Sequence, residues 1–190
     1  MPQAGWLNAI APRPASTTPC PPPPTTGAAL RLAAAVNARE GADLPSNFFW
    51  APVSVLQHPD GTQERFPHLV TDRAKPGVIA VNQRAVRFVN ESNSYHHFAS
   101  AMQSRAENAP CFLICDALAM KRYGLGLARP APVNNDALVK AGYLHKADTL
   151  PELAQRLGLD PQTLADTVAR YKPRRRSGPR PGVHQRRQQL

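Results

Sequence analysis

Five polar side chains lie close together near the middle of this 190-residue chain. They are Arg87, Asn90, Glu91, Tyr95 and His96. They fall where a β-branched run gives way to a helical pattern, and polar groups at such a junction can converge on a cavity and take part in catalysis. The residue types leave a second interpretation open, in which Asn90 and Glu91 fix the turn and cap the helix.

Cysteines and histidines could form a metal site elsewhere in the chain. Cys111 and Cys115 are four residues apart, so a strand would place both on one face. The histidines that could join them are His68, His96, His97 and His145. A zinc site normally has repeated pairs of cysteines separated by two residues. We therefore predict no metal site and interpret both cysteines as buried structural residues.

A glycine pair, Gly124 and Gly126, is similar to the beginning of a dinucleotide-binding turn. The third glycine of that motif is missing, and no predicted strand leads through these residues into a helix. Because no other glycine-rich turn precedes a helix, the chain contains no pyrophosphate-binding element of its own. Cofactor-binding residues are therefore unknown at this stage.

The elements around the polar cluster follow from apolar spacing. Residues 76–82 predict a buried strand, and residues 86–89 predict a second strand that completes a β-hairpin. From Tyr95 onward the apolar residues follow a helical spacing, and residues 111–116 predict another buried strand. Residues 44–70 predict short extended pieces joined by turns.

One helix is predicted before these elements, and two are predicted after them. Residues 27–38 are rich in alanine and predict a helix that packs closely. Thr149 and Glu152 have the spacing of a capping box, which predicts a helix start. Asp160 followed by Pro161 predicts the start of the last helix.

The two ends differ in composition from the middle. Eight of the 21 prolines lie in the first 24 residues, which predicts a disordered proline-rich segment over 1–26. Seven of the 23 lysines and arginines, and no acidic residue, lie in residues 172–190, which predicts a disordered basic tail. The tail has no aromatic residues for base stacking, so we do not expect specific nucleic-acid binding. The composition changes abruptly from mixed to basic where the tail begins, as a shifted reading frame would produce.

The chain has no sequence signal for a membrane or for secretion. No apolar run approaches the ~18–20 residues that a bilayer-spanning helix needs, and the N-terminus lacks the order of a secretory signal. Three cysteines are too few for a disulfide framework, which agrees with a reducing compartment. These observations predict a cytoplasmic protein.

Several segments together resemble one enzyme family. Residues 76–82 and 87–92, followed by Tyr95 and His96, are similar to FAD-dependent dehydrogenases of the 3-ketosteroid Δ1-dehydrogenase and fumarate reductase flavoprotein group. Similar flanking stretches occur at 26–33, 123–126 and 147–171. The resemblance therefore covers about 26–171, in the order that the family has.

The resemblance implies an α+β fold and an interior fragment of a two-domain flavoprotein. Residues 27–75 would be a remnant of the Rossmann-like FAD-binding domain, and residues 76–171 would form the cap domain that covers the substrate. FAD is the implied cofactor, and a small apolar ketone or a steroid-like compound is the implied substrate. Because the phosphate loop has no counterpart here, we expect the chain alone to bind FAD poorly, to be inactive and to need a complementing chain.

The resemblance also implies residue roles. Tyr95 stands where fumarate reductases have an arginine and ketosteroid dehydrogenases have a tyrosine, which favours 3-oxosteroid 1-dehydrogenase chemistry. Tyr95 would remove a proton beside a ketone while a hydride passes to flavin N5. His96 or Arg87 could supply the donor or positive charge that stabilises the phenolate, and Asn90 and Glu91 would support the site.

The chain departs from the family pattern at one turn position. Ala85 occupies a turn position where the family commonly has glycine, so a positive φ there would cost about 1 kcal/mol.

The alternative function is that of a small non-enzymatic basic protein whose tail makes nonspecific contacts with anions or nucleic acids. Flavin absorbance of the purified chain would favour the enzyme, and salt-sensitive nucleic-acid binding would favour the alternative.

Overall fold

The structure is a computed structural model that describes residues 6–10, 28–38 and 50–171. For residues 6–10, and for Ala28 and Leu30, it describes the secondary structure only. The predicted disorder of 172–190, and that of most of 1–26, falls outside the described residues.

Five strands form two antiparallel sheets. The strands are β1 (Trp6–Ile10), β2 (Val53–Gln57), β3 (Gln63–Pro67), β4 (Val78–Val81) and β5 (Phe112–Asp116). The larger sheet has the order β1-β5-β4, and β2 pairs with β3 as a separate hairpin. The fold therefore mixes helices with antiparallel sheets, as the α+β prediction requires.

Strand β1 corrects one prediction. Its five residues lie within the segment predicted to be disordered, and they pair with β5 so that Ile10 is opposite Leu113. The physical reason is local composition, because no proline interrupts residues 3–11 and the backbone can form ladder hydrogen bonds.

Helices occur between and after the strands. They are α1 (Ala28–Ala35), α2 (Val70–Arg73), α3 (Tyr95–Gln103), α4 (Ala117–Tyr123), α5 (Asp136–Lys140), α6 (Leu150–Leu157) and α7 (Pro161–Tyr171). A short 3₁₀ helix spans Ala106–Asn108. Within the described residues, no helix has both the length and the apolar character needed to cross a membrane.

Both faces of the larger sheet are buried. Along β4, Val78 and Ala80 belong to one apolar cluster, whereas Ile79 and Val81 belong to the other. The first cluster includes side chains of α3 and α4, and the second includes side chains of α6 and α7. A strand covered on both faces needs a continuous apolar run, which explains why both buried strands were predictable.

The caps of the last two helices confirm the sequence analysis. The Thr149 hydroxyl accepts a hydrogen bond from the backbone N–H of Glu152 at 3.3 Å. Gly158 ends α6 in the left-handed region, with φ +68°. The carboxylate of Asp160 accepts a hydrogen bond from the Thr163 N–H at 2.7 Å and caps α7.

Two other elements differ from their predictions. Residues 86–89 form no second strand, because pairing there is limited to one bridge between Val81 and Arg87. Instead, the N–H of Ala80 donates to the carboxylate of Glu91 at 2.9 Å, so a side chain replaces a strand partner.

Helix α1 forms as predicted, but Leu32 is 72% exposed. Its helicity reflects the local propensity of alanine, which does not require close packing.

The proposed division of the chain at residue 75 stays a prediction. Side chains from both sides of that point share one core, because Leu56 of β2 lies in the same apolar cluster as Phe98 of α3. The hydroxyl of Ser54 also lies 2.6 Å from the phenol oxygen of Tyr143.

Candidate active site

Helix α3 begins at Tyr95 and places it at the surface. Ser94 caps the helix, because its hydroxyl accepts a hydrogen bond from the N–H of His97 at 3.2 Å. The helix cap predicted for Asn90 or Glu91 is therefore wrong, and Ser94 has this role because a cap residue must directly precede the first turn. Tyr95 is 37% exposed, so it lies partly at the surface of the described residues.

Arg87 and Glu91 form a buried ion pair. Nε of Arg87 donates to Oε1 of Glu91 at 2.8 Å, and Nη2 donates to Oε2 at 2.6 Å. The hydrogen bond to Glu91 raises the pKa of Arg87, although burial opposes the shift. The Arg87 guanidinium also lies 5.2 Å from the ring centroid of Tyr171. The guanidinium of Arg87 is therefore fixed in place by the carboxylate of Glu91.

Asn90 stabilises the turn between this ion pair and helix α3. Its side-chain oxygen accepts a hydrogen bond from the N–H of Ser92 at 3.1 Å. Its backbone carbonyl accepts one from the N–H of Asn93 at 3.0 Å. The expectation that Asn90 fixes the turn is confirmed.

His96 follows Tyr95 in the first turn of α3 and has a defined hydrogen-bond partner. The backbone N–H of Trp50 donates to Nδ1 of His96 at 3.3 Å. A backbone N–H can donate only to an unprotonated ring nitrogen, so the geometry assigns the imidazole proton to Nε2. This hydrogen bond ties the start of α3 to Trp50.

Sequence analysis missed a second polar network, which involves His68. Nδ1 of His68 lies 2.6 Å from the carboxylate of Asp72, and Nε2 lies 2.7 Å from the hydroxyl of Ser54. This arrangement resembles a nucleophile, base and orienting acid. Ser54 and His68 are 0% exposed, so no substrate can reach them and the network is structural. The four-residue spacing of His68 and Asp72 was its only signal in the sequence.

Sequence analysis also missed Arg73, which is fully buried at the end of α2. Its guanidinium donates hydrogen bonds to the backbone carbonyls of His68, Glu91 and Asn93. No motif could reveal these contacts, because their acceptors are backbone atoms whose positions depend on the tertiary fold.

Gly124 does not lie at the start of a helix, where a pyrophosphate-binding glycine would be expected. Gly124 follows the C-terminal end of α4, and a Cβ there would lie 2.3 Å from the carbonyl oxygen of Ala128. The glycine is therefore needed for close backbone packing. A helix C-terminus carries partial negative charge, which disfavours phosphate.

The described residues do not group three metal-binding side chains either. Cys111 and Cys115 are fully buried in one apolar cluster, as predicted. Burial raises the pKa of Cys111 to about 12, so its thiol stays protonated and unreactive.

A shallow groove of about 250 Å³ lies beside α4, and Met120 and Leu144 line it together with Lys121, Arg129 and Lys146. None of the candidate site residues lines this groove.

Comparisons with known proteins agree on one family. The sequence profile of the FAD binding domain family matches residues 2–188. The chain is 42% identical over 137 residues to a 4-oxocyclohex-2-ene-1-carboxylate 5-dehydrogenase of Sinomonas cyclohexanicum, covering 70% of this chain and 23% of the relative. It is 33% identical over 117 residues to a 3-oxosteroid 1-dehydrogenase of Mycolicibacterium smegmatis, covering 57% of this chain and 21% of the relative.

A solved structure is similar as well. The 3-ketosteroid Δ1-dehydrogenase of Sterolibacterium denitrificans, in complex with 1,4-androstadiene-3,17-dione, superposes with a TM-score of 0.55 and 28% identity. The match covers 79% of this chain and 27% of that one. The chain thus spans about a quarter of the length of its relatives. FAD is the cofactor that the family indicates. By the extent of the profile match, the chain belongs to the FAD binding domain family of flavoproteins.

Proposed function

We propose that this chain supplies the substrate-covering cap lobe of an FAD-dependent dehydrogenase that desaturates a cyclic ketone beside its carbonyl. In this proposal residues 76–171 form the cap, and residues 27–75 belong to the FAD-binding half. The observation that carries the proposal is the exposed phenol of Tyr95, at the capped start of α3, in a chain related to ketone dehydrogenases.

The chemistry assigned to this chain is proton transfer. A carbon beside a ketone is acidic because the carbonyl takes up the negative charge, so a positioned base can remove its proton. The phenolate oxygen of Tyr95 would accept that proton, and the hydride on the neighbouring carbon would go to FAD. Because Gly124 lies at the end of a helix and not at the start of one, we propose that a complementing chain holds FAD.

The neighbours of Tyr95 would act by orientation. His96, whose Nδ1 accepts the N–H of Trp50, follows Tyr95 in the first turn of α3 and would help to orient that turn. Arg87 and Glu91 would fix the backbone that leads into α3, and Asn90 would hold the intervening turn. The buried thiol of Cys111 supports the predicted cytoplasmic location.

Two substrate classes follow from the relatives. The relatives from Sinomonas act on oxocyclohexane and oxocyclohexene carboxylates, and one is 32% identical over 178 residues, which is 88% of this chain. The steroid dehydrogenase of Mycolicibacterium matches a shorter part of the chain. We therefore propose a small cyclic ketone as the first substrate to test and a 3-oxosteroid as the second. The alternative of a non-enzymatic basic protein receives no support from these comparisons.

The decisive experiment replaces Tyr95 in the FAD-loaded holoenzyme. Tyr95→Phe removes the proton acceptor but keeps the ring, so we expect turnover of 4-oxocyclohexanecarboxylate to fall by at least about 10²-fold with unchanged flavin absorbance. Tyr123→Phe is the matched control, because Tyr123 is 38% exposed and Tyr95 is 37% exposed. Full activity in Tyr95→Phe would remove Tyr95 from the mechanism.

A further inference from the structure

Arg73 is an arginine with no exposed surface, and its hydrogen bonds go to backbone carbonyls. Its Nε donates to the carbonyl of His68 at 2.7 Å. Its Nη1 donates to the carbonyl of Glu91 at 2.7 Å, and its Nη2 donates to the carbonyl of Asn93 at 3.0 Å. One rigid guanidinium therefore fixes the backbone at two points within the four residues that precede Tyr95.

The same guanidinium also contacts helix α3. It lies 4.2 Å from the ring centroid of Phe98, which is 0% exposed. Phe98 is three residues after Tyr95, so the two side chains lie near each other on the helix surface. Arg73 thus contacts the chain both before and after the candidate base.

The electrostatics of Arg73 do not favour a role in stability alone. Burial lowers the pKa of Arg73 to about 10, while the charges of Glu91 and Asp72 raise it, so the side chain stays cationic at neutral pH. A buried cation is costly, and an apolar side chain of similar volume is often at least as stabilising in such a place. The planar fork of donors is what an apolar side chain could not provide.

We propose that Arg73 is a positioning residue for Tyr95: its guanidinium fixes the carbonyls of Glu91 and Asn93 and the ring of Phe98, and so sets where α3 begins and where the phenol lies. The inference rests on the proposed function of Tyr95. Its structural half can be tested without turnover.

Hydrogen–deuterium exchange on the full chain tests the structural half. Arg73→Met keeps much of the volume and removes every donor, so amides of residues 91–99 should exchange about tenfold faster. Peptides from α6 and α7 report global unfolding and should change by less than about twofold. Exchange at 91–99 within twofold of the parent protein would overturn the proposal. If Arg73→Met fails to fold, Arg73→Lys, which keeps the charge and loses the fork, decides by the same criterion.

Ser54→Ala is the matched control, because it disrupts the buried network on the hairpin side of α2. Ser54 is 0% exposed and is bonded to His68 and Tyr143. We expect faster exchange in residues 53–68 and an unchanged rate at 91–99. Equal acceleration of 91–99 in Ser54→Ala and Arg73→Met would show general loosening and would overturn the specific role of Arg73.

Steady-state kinetics test the functional half. In the FAD-loaded holoenzyme, misplacement of Tyr95 by Arg73→Lys should lower kcat about tenfold and leave KM within about twofold. A raised KM with unchanged kcat would overturn the positioning role. The Tyr95→Phe variant separates the two ideas: if it retains turnover, the proposed function is wrong, whereas the exchange rates still decide whether Arg73 holds this turn.

Discussion

Glu91 shows how one residue can organise the candidate site. Its side chain is only 2% exposed, and its carboxylate accepts hydrogen bonds from Arg87 and from the N–H of Ala80. Sequence analysis placed Glu91 at the site from its position in the polar cluster and from the family resemblance. It could not show that the carboxylate would replace a strand partner of β4, because that contact depends on the tertiary fold.

Glu91→Gln is expected to destabilise the protein by about 3 kcal/mol, because the amide still accepts from Ala80 but leaves Arg87 as a buried cation without its anion. Urea unfolding followed by circular dichroism measures this change. The matched control is Glu107→Gln, because Glu107 pairs with Arg105 at 3.9 Å and Arg105 is 73% exposed. The control should cost less than about 0.5 kcal/mol. Equal losses in both variants would contradict the importance of burial.

At the scale of elements, the end of α4 depends on one glycine. Gly124 has φ +64° and ψ −176°, a region that residues with a Cβ rarely adopt. The N–H of Leu125 donates to the carbonyl of Ala128 at 2.8 Å, and the close turn that results brings this carbonyl against Gly124. The sequence analysis rejected the pair Gly124 and Gly126 as a nucleotide-binding motif, because the third glycine is missing and no predicted strand leads through the pair into a helix.

Gly124→Ala is expected to destabilise the chain by at least about 3 kcal/mol, because a new Cβ adds a backbone clash to an unfavourable conformation. Gly158→Ala is the control at the end of α6, where φ is +68° and a Cβ would meet nothing within 4 Å. It should cost only about 1 kcal/mol. Thermal unfolding of both variants compares the costs, and similar losses would contradict a packing role for Gly124.

At the scale of the whole molecule, a buried network joins distant parts of the chain around Asp72. Its carboxylate is bonded to His68 at 2.6 Å and to Lys75 at 2.8 Å, and it also accepts the N–H of Gly126 at 3.3 Å. His68 continues the network to Ser54 in the β2–β3 hairpin. Burial opposes ionisation of Asp72, but hydrogen bonds and attraction from His68 and Lys75 outweigh it and hold the pKa of Asp72 below its usual value.

This lowered pKa predicts how stability depends on pH. A carboxyl whose pKa is lower in the folded state stabilises the protein above its usual value of 3.8, and this contribution is lost as pH falls through the folded pKa. Asp72→Asn should therefore cost about 2 kcal/mol at pH 6 and less near pH 3. Urea unfolding of the parent protein and of Asp72→Asn at about pH 6, 4.5 and 3 measures the difference in their free energies of unfolding. A difference that stays constant with pH would contradict the assignment.

The fold was predictable where local rules suffice. The capping box at Thr149, the cap at Asp160 and the continuous apolar run of β5 are short-range signals, and each predicted element formed. The hairpin over residues 86–89 was predicted from the same kind of signal and did not form. Local propensity could not take into account that Glu91 would occupy the N–H of Ala80.

The sequence by itself determined the family, the order of most elements and the position of Tyr95 at the start of a helix, because motifs and caps are encoded by residues a few positions apart. The tertiary structure alone decided what surrounds that tyrosine. Arg73 reaches the carbonyl of Asn93 across 20 residues, and Trp50 reaches His96 across 46. Such contacts depend on backbone atoms that every residue carries, so residue types alone cannot specify them.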